Sequence, residues 1–563
     1  MRAGFVAFMM VLCVSARAGE VKTVTAEIDT TAAGTPISPY IYGIAQADTA
    51  LAVDMGVTIR RLGGNPCTPY NWKEGFSSSG ADWWYVNTGK AAKPEENWWG
   101  GFLKANKEAK LEGYFTLPMM GRVAKDGTSV AFDIKKYPNQ EKWIGQEHPT
   151  WDYAYAGNGR QFELGADGKP KKDDKGNPLI KTLEPDPNDT SIEMPQAEQT
   201  RLLDFMINDM KFGKSGAGGV SYIALDNEPG LWHTTHHGMR PVACSYDELW
   251  QRTRDYAAAL KKIDPNVKIG GPTSWGWTEY FYSGLDAQLI GQGKGSWNAP
   301  PDQAAHGKVP LTKWYLQQLA DYEKKNGVRL VDILDFHFYP QANVDGKAHD
   351  PAVMENRVQE TRVMWDPNFK DPSWMGSETG KVLRIIPLMR DWVAESNPGM
   401  KLAIGEYDFK GQDDASGGVA QAELLGVFAR ERLDFGFYWF APNKDTPIYF
   451  GFRMFRNPDG KHTAFGDSYL PAVVSAPDDV SVHAAKDSKT GMLTLILINK
   501  RGKQPAKVAL KFKNALPEQS VPVYEYSDSD AKGIKVLPEV AVKGEQLEIE
   551  LSPMSVKRID LKL

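Results

Sequence analysis

Cysteine is scarce in this chain: 563 residues hold three. Cys13 falls in the apolar stretch at the start, which leaves Cys67 and Cys244. Two thiols cannot staple a chain this long, so its stability must come from buried apolar cores, which a chain of this size builds unaided. Whether Cys67 and Cys244 pair is open at this level. A long hydrophobic run is missing too. The stretch from Phe5 to Val14 is too short for a permanent membrane anchor, and no later segment is long and apolar enough. With Met1-Arg2 before it and Ala16-Arg17-Ala18 after it, that stretch reads as a signal peptide over 1–18, cut after Ala18. Leu12 before Cys13 does not fit a lipoprotein box. A secreted or periplasmic protein is expected. Charge of one sign is also lacking: 66 Lys+Arg stand against 71 Asp+Glu, a formal net charge of -5. That balance gives no reason to expect nucleic acid or a membrane as partner and suits a neutral substrate.

Apolar runs separated by helical patterns fill the middle of the chain. Eight read as strands: Tyr40–Ile44, Val57–Leu62, Gly113–Met119, Ser221–Leu225, Lys268–Pro272, Val331–Phe338, Lys401–Ile404 and Phe435–Phe440. Several are continuous apolar runs, as parallel strands covered on both faces require. The clearest helix runs from Ser245 to Ile263, with Ser245 and Glu248 spaced as a capping box and Leu249, Thr253, Tyr256, Leu260 and Ile263 on one face. Eight strand–helix units predict an α/β fold, a (β/α)8 TIM-like barrel over 39–466. Long polar excursions at 158–195 and 291–310 are candidates for walls of a substrate groove. After about Asp467 the pattern becomes alternating apolar and polar residues with Gly, Asn, Asp and Lys turns. This predicts an additional antiparallel β-sandwich over 467–563. Val24–Ile28 alternates in the same way, so 19–38 is expected to add a strand to that sandwich. No repeat or low-complexity linker separates the two parts, which are expected to pack rigidly.

The chemistry concentrates at strand ends, where a barrel of this type carries its active site. Asp226-Asn227-Glu228-Pro229 closes the fourth strand and Gly405-Glu406-Tyr407 the seventh. Two carboxylates facing each other across one bond is the recurring arrangement of glycosidases: one acts as acid and the other as nucleophile or base. The acid needs a raised pKa; the nucleophile needs donors and a cation to stay charged. Arg61, ending the second strand, is a candidate for that cation. Tyr339, in the strand-end run His337-Phe338-Tyr339, is a candidate donor. A structural salt bridge and simple packing are the competing readings. His233, His236 and His237 raise a zinc reading, but no His-Glu-x-x-His accompanies them, and no catalytic metal is assigned. No organic cofactor is required. A structural calcium is compatible with the chain but leaves no readable loop signature.

The combination resembles glycoside hydrolase family 44. The runs that carry the resemblance are Ile41-Tyr42-Gly43-Ile44, Arg61-Leu62-Gly63-Gly64-Asn65, Tyr70-Asn71-Trp72, Asp226-Asn227-Glu228-Pro229 through Leu231-Trp232, and Thr235-His236. Trp365-Asp366-Pro367, Ser373-Trp374, Ala403-Ile404-Gly405-Glu406-Tyr407 and Ser416-Gly417-Gly418 continue the series. The resemblance implies a barrel plus sandwich, and a retaining endo-β-1,4-glucanase acting on cellulose-type β-glucans and on xyloglucan. Glu228 would be the acid/base, Glu406 the nucleophile and Asn227 the contact to a sugar hydroxyl. Arg61, His337 and Tyr339 would line the substrate site. Trp72, Trp365, Trp374 and Trp439 are candidate sugar platforms. Trp439 stands where related barrels put a ring beneath the sugar at the cleavage point; core packing is the alternative for the other three. The chain departs from the pattern at Gly405, at Arg240 and in the histidine-free run Lys410–Ala415. Mannan or xylan on the same barrel, or a non-catalytic carbohydrate-binding protein, are the rival readings.

Overall fold

A computed structural model describes residues 21–345, 349–378, 380 and 382–563. The segment 1–18 expected as a signal peptide, with Cys13 in it, lies outside the described residues. Eight parallel strands close into a barrel in chain order. They are β1 (Gly43–Ala45), β2 (Ile59–Leu62), β3 (Glu112–Leu117), β4 (Tyr222–Leu225), β5 (Lys268–Ser274), β6 (Ile333–Phe338), β7 (Lys401–Tyr407) and β8 (Phe435–Tyr438). One main helix follows each: α1 (Thr49–Met55), α2 (Trp98–Ala109), α3 (Gln196–Asn208), α4 (Tyr246–Ile263), α5 (Leu311–Asn326), α6 (Ile385–Ser396), α7 (Ala415–Arg430) and α8 (Pro447–Arg456). Every residue of β2, β6 and β8 is buried, because the helices cover the outer face and side chains fill the inner one. Inside the barrel the rings of Tyr114 and Phe437 stack at 5.3 Å, and Tyr40 stacks on Phe435 at 5.3 Å. This is a packed core with no pore.

Two local expectations are corrected. The first strand begins at Gly43, because Pro39–Tyr42 forms a 3-10 turn capped by the Ser38 hydroxyl, with proline at its first position. At the start of α4 only half of a capping box forms. Ser245 accepts from the Glu248 amide at 3.2 Å, but the Glu248 carboxylate turns to Arg252 (2.7 Å) and Arg240. Two guanidinium groups hold it more strongly than one backbone amide.

The second body is a nine-stranded sheet. Lys22–Ile28 lies in it between Ala472–Val474 and Ala506–Ser527. Its pairing with Ala506–Ser527 is parallel, with Val24 opposite Val508; the other pairs in the sheet are antiparallel. The whole barrel separates these two strands in sequence, so no hairpin dictates their direction. Val24, Ala26 and Ile28 share one core with Val482, Leu495, Leu510 and Ile559. One long strand, Ala506–Ser527, pairs with Asp530–Leu551 in a ladder that shifts register between Lys511 and Gln519.

Charged groups buried between the two bodies lock them together. Arg558, fully buried on the last strand, donates to Met454 O and Phe455 O at 3.0 Å, closing the carbonyl end of α8. Glu423 of α7 is 0 % exposed and meets Lys500 (3.7 Å), His483 Nε2 (3.3 Å) and the Ser481 hydroxyl (2.8 Å). Burial alone would raise its pKa, but Lys500, His483 and Ser481 together hold it well below the usual carboxylate range. Glu423→Gln leaves the Lys500 charge uncompensated, so roughly 3 kcal/mol of stability is expected to be lost at neutral pH. A group with a depressed folded pKa stabilises above its unfolded value, near ~4.3, and loses that contribution as pH falls toward the folded one. The wild-type–variant gap in urea denaturation should therefore be full at pH 7 and shrink at acid pH. A gap independent of pH would show that the charge is not what holds the interface.

Candidate active site

Strain collects where the strands end. Gln46 after β1 (φ 58), Asp226 and Glu228 after β4 (φ 63 and 49), Thr273 in β5 (φ 60) and Phe440 after β8 (φ 67) all sit in the left-handed region without being glycine. Such residues persist only where their surroundings over-determine them, and they gather at functional sites. Asp226 shows how one is held. It is fully buried and accepts from the Thr68 hydroxyl (2.6 Å) and from the amides of Asn227 (2.7 Å), Met120 (2.9 Å) and Met119. Burial raises its pKa to about 6 against these donors. Glu228 N then donates to Thr273 O at 3.1 Å, tying the turn to β5. On the far side Glu279, 2 % exposed, accepts from the amides of Gly230 and Trp275 at 2.7 Å each.

Above this scaffold the strand ends bring six polar side chains together. Arg61 of β2, fully buried, donates Nη1 to Glu406 Oε1 at 2.7 Å and Nη2 to Asn227 Oδ1 at 3.1 Å. The Tyr339 hydroxyl donates to Glu406 Oε2 at 2.7 Å. His337 Nδ1 lies 2.8 Å from Glu228 Oε1 and 3.4 Å from Glu406 Oε2, and its Nε2 lies 3.3 Å from Arg61 Nη2. A guanidinium only donates, so Nε2 must accept and Nδ1 must carry the hydrogen. That pattern assigns a neutral imidazole whose Nδ1–H points at Glu228. Burial, and then the Arg61 charge, push the His337 pKa far below its ordinary value, in accord with this tautomer. An oxygen of Glu228, an oxygen of Glu406 and a His337 nitrogen lie within 4.8 Å of one another. Gly405 makes room for this packing: a Cβ there would stand 2.4 Å from Asp335 Oδ1.

The two carboxyl groups are not equivalent. Burial, then the negative charge of Glu406, then that of Glu279, raise the Glu228 pKa well above the carboxylate range. Burial pushes Glu406 up as well, but the Arg61 guanidinium and the Tyr339 hydroxyl oppose it. One proton shared by the pair therefore resides on Glu228 while Glu406 carries the charge. Glu228 is also the more accessible, with 12 % of its side chain exposed against 5 % for Glu406. The arrangement can give a proton to a leaving oxygen from one side and present an anion from the other. These three residues are also the one group of His, Cys, Asp or Glu among the described residues whose donor atoms converge as for a metal ion. Arg61 already occupies Glu406 Oε1 and the Tyr339 hydroxyl Oε2, so the donor set suits protons better than a cation. His233, His236 and His237 form no such group. His237 spends both ring nitrogens on backbone carbonyls, at 2.9 and 2.8 Å, and burial lowers His236 to about 3.

Residues 76–342 match the model of glycoside hydrolase family 44. The solved structure of CelM2, a bifunctional glucanase-xylanase protein from a metagenome library, is 31 % identical. That match covers 96 % of this chain and all of that one, with a TM-score of 0.87. The chain belongs to glycoside hydrolase family 44. Endoglucanase A of Paenibacillus lautus is 28 % identical over 558 residues, 96 % of this chain and 72 % of that protein. A Paenibacillus polymyxa xyloglucanase of family 44, solved with xyloglucan, is 26 % identical, covering 96 % of this chain and 100 % of that one with a TM-score of 0.76. The chain is a glycoside hydrolase.

Of the four candidate sugar platforms, this family 44 chain keeps two at the barrel mouth. Trp439 lies against Gly64, where a Cβ would stand 2.3 Å from the indole, so the glycine admits the ring. Gly64 N donates to Asn227 Oδ1 at 3.2 Å, which places Trp439 beside the Arg61–Asn227–Glu406 cluster. Trp374 is 43 % exposed and donates Nε1 to Gln341 at 3.3 Å, just beyond β6. The other two are corrected. Trp72 is 3 % exposed and packs on Phe205 of α3 at 5.6 Å, so no face is free for a sugar. Trp365 lies under the guanidinium of Arg430, 3.6 Å from its ring centre. Arg430 ends α7, at the opposite end of the barrel from the mouth, so that ring is a cation–π partner in the scaffold. Sequence reasoning missed Glu279 and Asp335. Asp335 is buried inside the barrel, accepts from Tyr114 OH at 2.7 Å and is raised to about 6 by burial. Neither lies in a motif; for Asp335 the one available signal was a carboxylate in the middle of a buried strand. Among the described residues Cys67 and Cys244 are both buried and free.

Proposed function

We propose that this glycoside hydrolase is a retaining endo-β-1,4-glucanase that cleaves cellulose-type β-glucans and xyloglucan after export from the cytoplasm. Glu228 gives its proton to the glycosidic oxygen while a Glu406 oxygen attacks the anomeric carbon and the leaving sugar departs. Glu228, now a carboxylate, takes a proton from water. That water attacks the same carbon and releases Glu406. Neither step calls for a cofactor. Asn227, fixed by Arg61, Gly64 and its bond to Asn65 (3.1 Å), stands ready for a sugar hydroxyl.

The observation that carries this reading is the approach of the Glu228 and Glu406 oxygens to within 4.8 Å. Inverting enzymes hold their carboxyl groups ~6.5–9.5 Å apart to admit a water, whereas retaining ones hold them ~5–5.5 Å apart. Proton NMR of early hydrolysis is therefore expected to show the β-anomer of the new reducing end first, with α growing in by mutarotation. Early α product would mean inversion and would remove Glu406 as nucleophile. The substrate class rests on the relatives, described as an endoglucanase, a glucanase-xylanase and a xyloglucanase. Xylan is the second reading, favoured by the relative that acts on both. Reducing-end products from cellulose, xyloglucan, xylan and mannan separate these.

A further inference from the structure

Phe440 is the second residue after β8, next to Trp439, and is odd in two ways. Its φ is 67°, in the left-handed region that a bulky side chain rarely enters. Its ring is 61 % exposed. Neither feature helps the fold. The ring buries little, and glycine would hold that backbone without strain. Among the described residues its one ring partner is Trp439, with centroids 6.2 Å apart and planes at 66°. The two rings therefore make a corner. One wall lies over Gly64 beside Asn227, and the other is exposed just beyond the end of β8.

A pyranose presents apolar C–H faces bounded by hydroxyl groups, and aromatic faces pack against the apolar part. A sugar resting on Trp439 would meet Phe440 along its side. We propose that Phe440 is a substrate-contacting residue: its ring forms a second wall beside Trp439 against which the β-linked glucan chain lies. This rests on the function proposed above. The glucan is the occupant because the corner is continuous with the catalytic cluster through Trp439, Gly64 and Asn227.

The test uses the full chain with cellohexaose. Phe440→Gly is expected to melt at or above the wild-type temperature, since glycine takes this backbone freely. Its KM should rise roughly 3- to 10-fold, the size of an aromatic stacking contact, with kcat within about 2-fold. Phe440→Tyr, which keeps the ring, should restore the wild-type KM. An unchanged KM in Phe440→Gly overturns the role. So does a melting temperature that drops by several degrees, which would mean the ring holds the fold. Wild-type protein that cleaves no β-glucan overturns instead the proposed function, and the occupant named here with it.

Discussion

Glu406→Gln is expected to lower turnover by at least about 10^4-fold, the scale on which removal of an enzymatic nucleophile acts. The amide cannot form the glycosyl ester, so no alternative first step is left. The fold should survive, for a specific electrostatic reason. Arg61 is fully buried and its 2.7 Å partner is Glu406, so the substitution would strand a buried cation if nothing else changed. Yet the charge of Glu406 is one cause of the raised Glu228 pKa. With that charge gone, Glu228 ionises more readily and supplies the anion that faces the guanidinium. The variant should therefore melt within a few degrees of wild type and still bind cello-oligosaccharides by calorimetry. Turnover near the wild-type rate would take Glu406 out of the mechanism.

What could be read from the sequence divides along a physical line. The eight strands were legible because parallel strands covered on both faces are continuous apolar runs, and β2, β6 and β8 are buried throughout. Glu228 and Glu406 were legible because a carboxylate directly after such a run must lie at the barrel rim. Arg61 and Tyr339 followed from the same rule, and the structure sets both on Glu406. Aromatic identity, by contrast, does not say which side of the wall a ring faces. Trp72 and Trp374 looked alike in sequence, but one packs on Phe205 and the other stands at the rim. Glu279 was not legible at all. It lies far along the chain from Glu228 and meets the turn that carries Glu228 through the Gly230 amide, a contact made by tertiary structure and written in no local pattern. Phe440 was counted as the end of a strand. Its left-handed backbone, the feature that distinguishes it, has no trace in the residue type.

Glu228→Ala should separate substrates by their leaving groups. On β-glucan, whose leaving sugar alkoxide must be protonated as it departs, the loss is expected to be about 10^2- to 10^4-fold, the usual worth of a positioned acid. On a dinitrophenyl β-cellobioside the leaving phenolate needs no proton, so the first step should be nearly unaffected and the glycosyl-enzyme should accumulate. Its hydrolysis then stalls, because the base that activates water is the group removed. Azide needs no base and fits the space left by the side chain, so added azide should restore turnover and yield the β-glycosyl azide. The pH profile gives a second readout. Burial and the charge of Glu406 raise the Glu228 pKa. In the wild type, activity on β-glucan should fall as pH rises through that raised value, because the acid form is lost. In Glu228→Ala that basic limb should disappear. Equal loss on both substrates, no azide product and an unchanged basic limb in a folded variant would assign the proton to another group. His337 is a poor substitute, since its hydrogen already points at Glu228 and its pKa lies far below neutral.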